Sequence, residues 1–168
     1  MTVDWEAAAD ALTAACRDQF TAFLGGPAAA RVYAVGLFFD PDSGDVYPVA
    51  NTMDHHTREH RAHVAGGGTV DEHQFLWDTG NWAHPAGLFP ADSPHAATFD
   101  RVWGLYREAI AGTADPHRAE RLEAACLLAL RKLAADGVFA AAAHLMGYVV
   151  QSPADAPEQM AKKQEWVT

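Results

Sequence analysis

The sequence predicts an α+β fold: a small, mostly antiparallel sheet with helices packed on one face, in a single domain. Three observations lead there. RVYAVGLFF and VYPVANT are short runs rich in valine and aromatics, separated by a DPDSGD turn, which is the pattern of a β-hairpin. Longer segments with apolar residues at helical spacing lie before and after them. Strands clustered early with a helical pair later favour segregated layers over alternating βαβ units. A length of 168 residues fits one domain with a sizeable core. That domain is expected over residues 1–153, with a polar tail over 154–168.

Residues 3 to 24 read as an amphipathic helix. Trp5, Ala8, Leu12, Cys16, Phe20 and Phe23 share a face, Thr2 or Asp4 can cap the start, and Gly25-Gly26-Pro27 ends it. Residues 31 to 39 are too short for a stable helix and read as a strand. The turn follows, with Pro41 and Gly44 supplying its backbone angles. Residues 46 to 52 return as a second strand. Pro48 cannot donate to a ladder, so this strand lies at an edge or is bulged there. A short helix over 53 to 64 is capped by Thr52 or Asp54, and Gly66-Gly67-Gly68 breaks it as a flexible connection. A further strand is expected from Gln74 to Trp77, then a turn and a proline-dotted loop to about residue 96.

Two helices follow. FDRVWGLYREAIAG places Phe99, Val102, Trp103, Tyr106 and Ile110 on one face. DPHRAERLEAACLLALRKLAADG is longer, with Asp115 as N-cap, Pro116 at the first helical position and Gly137 at the stop. HLMGYVVQS reads as a last strand, and the tail holds a turn of helix around Glu158 to Lys163.

Composition narrows function. The 12 basic and 22 acidic side chains give a net charge of -10. Such a field repels phosphate and disfavours nucleic acid and anionic membranes, while it accommodates a cationic protein. The start MTVDWE has neither the basic nor the apolar region of a signal peptide. The longest apolar stretch, residues 137 to 150, is too short to span a bilayer and is interrupted by His144. A cytoplasmic protein is expected. Cys16 and Cys126 sit in apolar helical patterns without a C-x-x-C pair, and read as buried thiols in a reducing compartment.

DHHTREHRAH, residues 54 to 63, poses the sharpest chemical question. His56 to His60 spell H-x-x-E-H, the pattern of the inverzincin peptidases. On a helix His56, His60 and His63 share a face, two imidazoles one turn apart can chelate zinc, and Glu59 could act as base. Against this, nine histidines make a five-residue match a weak signal. Inverzincins are much larger chains. The third ligand would have to come from another element, and neither Glu120 nor Glu123 is marked for it. No metal, cofactor or catalytic residue is expected. There is no G-x-S-x-G, GGGT lacks the lysine of a phosphate loop, no Rossmann fingerprint occurs, and neither thiol sits in an electropositive setting.

Trp77 and Trp82 bracket WDTGNW and admit two readings. They close one end of the core with their indole N–H groups satisfied, or they wall a small-molecule pocket with Asn51 and Asn81 as polar contacts. The expected binding residues are Asn51, Thr52, Trp77, Asn81 and Trp82. Trp5, Trp103 and Tyr106 fit helix faces in the core. Trp166, in an otherwise polar tail, is either docked on the domain or available to a partner.

The order of these features resembles that of a bacterial family, domain-of-unknown-function family 4303. A leading helix precedes Y-A-V-G-L-F-F-D, an acidic glycine turn, and V-Y-P-V-A-N-T with Asn51-Thr52. Trp77 to Trp82 follow as W-x-x-x-x-W, then LLALRKLAADGVF and a strand running into Gln151-Ser152. The resemblance spans roughly residues 4 to 153. It implies a compact α+β domain without an established activity. The family usually carries glutamate just before the second tryptophan, where this chain has Asn81, so a role for that carboxylate does not carry over.

Three functions are expected, in this order. The first is a non-enzymatic binding module for a basic protein partner, for which immunity-type domains that block a basic toxin are the analogy. The second is a small-molecule binder near Trp77 and Trp82. The third is a metal-dependent hydrolase using His56, Glu59 and His60.

Overall fold

The computed structural model describes residues 2–69, 71–84, 87–152 and 164–166. Helix α1 (Trp5–Leu24) opens the fold. Asp4 caps it by accepting from the Ala7 N–H at 3.1 Å, and it ends at Gly25-Gly26. Ala8, Leu12, Cys16, Phe20 and Leu24 form its buried face, with Trp5 and Phe23 partly buried beside them. Strands β1 (Val32–Asp40) and β2 (Asp45–Thr52) form the expected hairpin. Gly44 turns it at φ 72°, with Trp103 Nε1 donating to its carbonyl at 3.0 Å. A Cβ at position 44 would lie 2.5 Å from the Arg107 carbonyl oxygen, so the turn packs on a later helix only as glycine.

The sheet runs β2-β1-β3-β4, with β3 (Gly147–Gln151) and β4 (Gln164–Trp166) added to the hairpin. Two pairings are antiparallel, but β1 and β3 are parallel, so the sheet is mixed rather than purely antiparallel. The chain leaves β2 and returns beside β1 only after all the remaining helices; that long crossover permits the parallel pair. Pro48 lies in β2 at the edge of the sheet, where its missing N–H costs no ladder bond. Residues 164–166 of the polar tail join the sheet as β4. The turn of helix expected at Glu158 to Lys163 lies outside the described residues, as does the side chain of Trp166.

Both faces of β1 are buried, and side chains alternate between two apolar clusters. Val35, Leu37 and Phe39 point with Tyr148 and Val150 toward the long helices. These are α1, α4 (Pro94–Ala111) and α5 (Arg118–Ala135), with α1 packed on both others and α5 lying on β1 and β3. Trp103 and Ile110 of α4 and Leu122, Cys126, Leu130 and Leu133 of α5 complete this larger core. Cys16 and Cys126 are both free and buried in it. Burial is the main reason both thiols have raised pKa values. Tyr33, Ala34, Val49 and Val149 face the other way, onto Trp77 and Trp82.

Three local expectations fail for identifiable reasons. Gln74–Trp77 is not a strand but the end of helix α3 (Glu72–Trp77), which lies against the second face. The loop does not run to residue 96: Ser93 accepts from the Ala96 N–H at 3.1 Å and Pro94 takes the first helical position, so α4 starts there. Asp115 caps the turn before α5 rather than the helix. It accepts from the His117 N–H at 2.9 Å; His117 is the N-cap, without a side-chain capping bond, so Pro116 lies before the helix and not at its first position. Gly137 ends α5 in the left-handed region as expected. Among the described residues no helix is long and apolar enough to cross a membrane.

Candidate functional site

The histidine-rich stretch is helix α2 (Met53–Ala65), capped by Thr52, whose hydroxyl accepts from the His55 N–H at 3.3 Å. His56, His60 and His63 do share a face, and that face is packed around Phe75 of α3. Ring centroids lie 5.7, 5.5 and 5.7 Å from the phenyl ring. His56 stacks on His60 at 5.9 Å and meets Tyr33 edge-on at 5.9 Å. The glycine run serves this packing: a Cβ on Gly68 would lie 2.1 Å from His63 Nε2. Gly68 is therefore a contact surface for an imidazole, beyond the flexible connection expected of it.

Glu59 is engaged elsewhere, accepting from Arg58 Nε at 3.2 Å. Among the described residues no three His, Cys, Asp or Glu side chains converge where they could hold a metal ion. The H-x-x-E-H spelling thus yields an aromatic stack in which the imidazoles act as flat, half-buried rings.

Beneath α2 lies a polar cluster built on the sheet. Tyr33 donates its hydroxyl to the Leu76 carbonyl at 2.6 Å and accepts from Asn51 Nδ2 at 3.1 Å. Asn51 Oδ1 accepts from the N–H groups of Thr52 at 2.9 Å and Ala83 at 3.1 Å. Trp82 Nε1 donates to the same Leu76 carbonyl at 3.2 Å. Gln151, at the end of β3, receives both the backbone N–H of Thr79, at 2.8 Å, and its hydroxyl. Asp78 holds the 3₁₀ turn Thr79–Asn81 through Gly80 N at 2.9 Å and Asn81 Nδ2 at 3.0 Å. Burial drives the Tyr33 phenol well above its ordinary pKa, with the Asn51 bond opposing in part, so it stays a hydroxyl.

The structure therefore brings Asn51, Thr52, Trp77, Asn81 and Trp82 into one neighbourhood, but not all of them to a surface. Trp77 is 0% exposed, Asn51 1% and Trp82 2%. The polar atoms of Asn51 and Trp82 tie the strand ends to the α3 segment through the Tyr33 hydroxyl and the Leu76 carbonyl. Asn81 and the rim of Trp82 do line an open cleft of about 310 Å³, opposite His55, Glu59 and His63 of α2.

A second hollow carries no signal in the sequence because its walls come from four separate segments. It is a cavity of about 230 Å³ between β2 and α4, closed by the loop from Gly87 to Ala91 and by Gln19 of α1. Val46, Phe89, Phe99 and Trp103 contribute its apolar walls, and Asp45, Tyr47, Asp100 and Arg107 its polar ones. Arg107 Nη1 lies 3.6 Å from Asp45 Oδ1 and 3.5 Å from Asp100 Oδ1. The Tyr47 phenol is pushed up in pKa, first by burial and then by the Asp45 carboxylate.

The fold and these hollows define a single α+β domain with a mixed sheet and no assembled metal centre among the described residues. The chain belongs to the family described as a domain of unknown function (DUF4303), which matches residues 12–164. No curated protein and no solved structure matches it.

Proposed function

We propose that this is a non-enzymatic binding domain for a basic protein partner, of the kind in which an acidic immunity protein covers a cationic toxin. The supporting observation is how charge is distributed. Arg17, Arg31, Arg58, Arg107, Arg118, Arg121 and Lys132 each face one of the chain's own carboxylates. Those cations are already engaged, while the chain as a whole carries -10. With 22 acidic side chains against 12 basic ones, the chain offers a partner more carboxylate than cation, and that favours rapid, salt-sensitive association with a basic surface. The two buried free thiols support a reducing compartment, and a cytoplasmic location is part of this proposal. The test is affinity capture from the native host at low and high salt. One basic protein retained at low salt and released at high salt is expected; recovery of no such protein would count against the reading.

The cleft beside Asn81 and Trp82 favours a second reading, a small-molecule binder. Its volume, about 310 Å³, lies at the lower end of ligand pockets. A thermal-shift screen tests it, since a ligand that binds only the folded state raises the melting temperature. A hit whose shift vanishes in Asn81→Ala supports this reading, and a screen without one removes it.

A further inference from the structure

We propose that the cavity between β2 and α4 receives a single lysine or arginine side chain of that basic partner. This deepens, and rests on, the binding-domain reading above.

Size comes first. At about 230 Å³ the cavity is smaller than the roughly 300–1,000 Å³ that encloses a drug-sized ligand or cofactor. One long side chain is the right scale. The walls come second. Val46, Phe99 and Trp103 are buried, whereas Tyr47 is 39% exposed and the Asp45, Asp100 and Arg107 side chains are partly exposed. The hollow therefore sets apolar walls beside polar groups, with the buried Gln19 amide inside and the more exposed Asp45, Tyr47, Asp100 and Arg107 toward solvent. Lysine and arginine match that profile, with a methylene stem that lies on apolar surface and a charged head that stays near water. The exposed ring of Tyr47 adds an aromatic face to attract the head group.

Charge decides between a cation and an anion. Asp45 and Asp100 share one guanidinium, that of Arg107, at 3.6 and 3.5 Å. Tight charge-assisted bonds are shorter, about 2.7–2.9 Å. Two carboxylates loosely bridged by one cation leave the mouth net negative, in a chain that is itself strongly acidic. An incoming cation completes the pairing; an incoming carboxylate or phosphate meets two like charges. Access is open as well, because β2 is an edge strand and a partner can reach the mouth without displacing a neighbouring strand.

The probe is a blocked tripeptide, acetyl-Gly-Arg-Gly-amide, with its citrulline counterpart as a neutral control of the same shape. Binding is followed by the amide, indole and guanidinium NMR signals of isotopically labelled protein. A saturable shift centred on the Trp103 indole and Arg107 is expected with the arginine peptide and not with citrulline. The double substitution Asp45→Asn with Asp100→Asn should weaken it about tenfold, the scale of losing a charged contact. Both carboxylates are partly exposed, and the amide spectrum of the double variant reports whether the fold is kept. No saturable shift, or equal shifts with both peptides, overturns the proposal. The same double variant separates this inference from the reading beneath it. A basic partner captured equally well by wild type and variant leaves the binding domain standing and removes this pocket. A pocket that binds the arginine peptide in a protein that captures no basic partner does the reverse.

Discussion

Tyr33 shows how one side chain ties this fold together. Its ring sits among Trp77, Trp82 and His56, and its hydroxyl joins β2, through Asn51, to the carbonyl of Leu76 in α3. Tyr33→Phe keeps the ring and removes the bridge, leaving the buried Asn51 amide short of an acceptor. A loss of about 1–3 kcal/mol is expected in urea denaturation, the cost of a buried polar group without its partner; an unchanged midpoint would mean that Asn51 finds another acceptor. His84 gives a pH signature. It packs edge-on to Phe23 at 5.0 Å and bridges to Ala50, and its pKa is lowered, first by burial and then by nearby His55. The unfolded chain thus takes up a proton that the folded chain resists. This contribution is fully present above the ordinary histidine pKa near 6.5 and is lost as pH falls through that value toward the lower folded one. His84→Gln should flatten the decline of stability between about pH 7 and 5. Parallel stability curves for wild type and variant would refute that assignment.

Helices α2 and α3 hold each other through rings rather than through a conventional apolar seam. No residue of α2 is fully buried, and its contact is the face of His56, His60 and His63 around Phe75. Phe75→Ala should therefore release α2 while leaving the larger core intact. Hydrogen exchange should speed up across residues 53–65 with little change in α1 or α5; acceleration spread evenly over the domain would contradict this division. Ser93→Ala tests the start of α4 in the same way, with an expected cost of about 1 kcal/mol for a lost N-cap. The sequence made some of these features plain and hid others. Helix α1, the hairpin, the edge position of Pro48 and the stop at Gly137 were legible because each rests on local chemistry: capping, period, and the needs of a turn. Ser93-Pro94 was equally local and went unread because the surrounding prolines resembled loop. Gln74–Trp77 was not legible. The three apolar residues after Gln74 are too few to show a period that separates strand from helix, and what decides it is contact with histidines more than ten residues earlier.

Across the whole molecule, the sheet is clad on both faces, with the long helices on one and Trp77 and Trp82 on the other. In that arrangement both tryptophans pack on the second face, and Trp82 also lines a cleft. The cavity at β2 and α4 could not be read from sequence, because Gln19, Asp45, Phe89 and Arg107 become neighbours only through the tertiary fold. Acidity was legible from composition, and the structure adds that the surface cations named above are matched to the chain's own carboxylates. A binding role follows most naturally if the imidazoles of α2 are structural, since a closed coordination shell there would make this a metalloprotein instead. Calorimetric titration of chelator-treated protein with zinc is the most direct test. We expect only weak binding without fixed stoichiometry, and equal behaviour in His60→Ala; one zinc per chain, held tightly and lost in His60→Ala, would contradict the account.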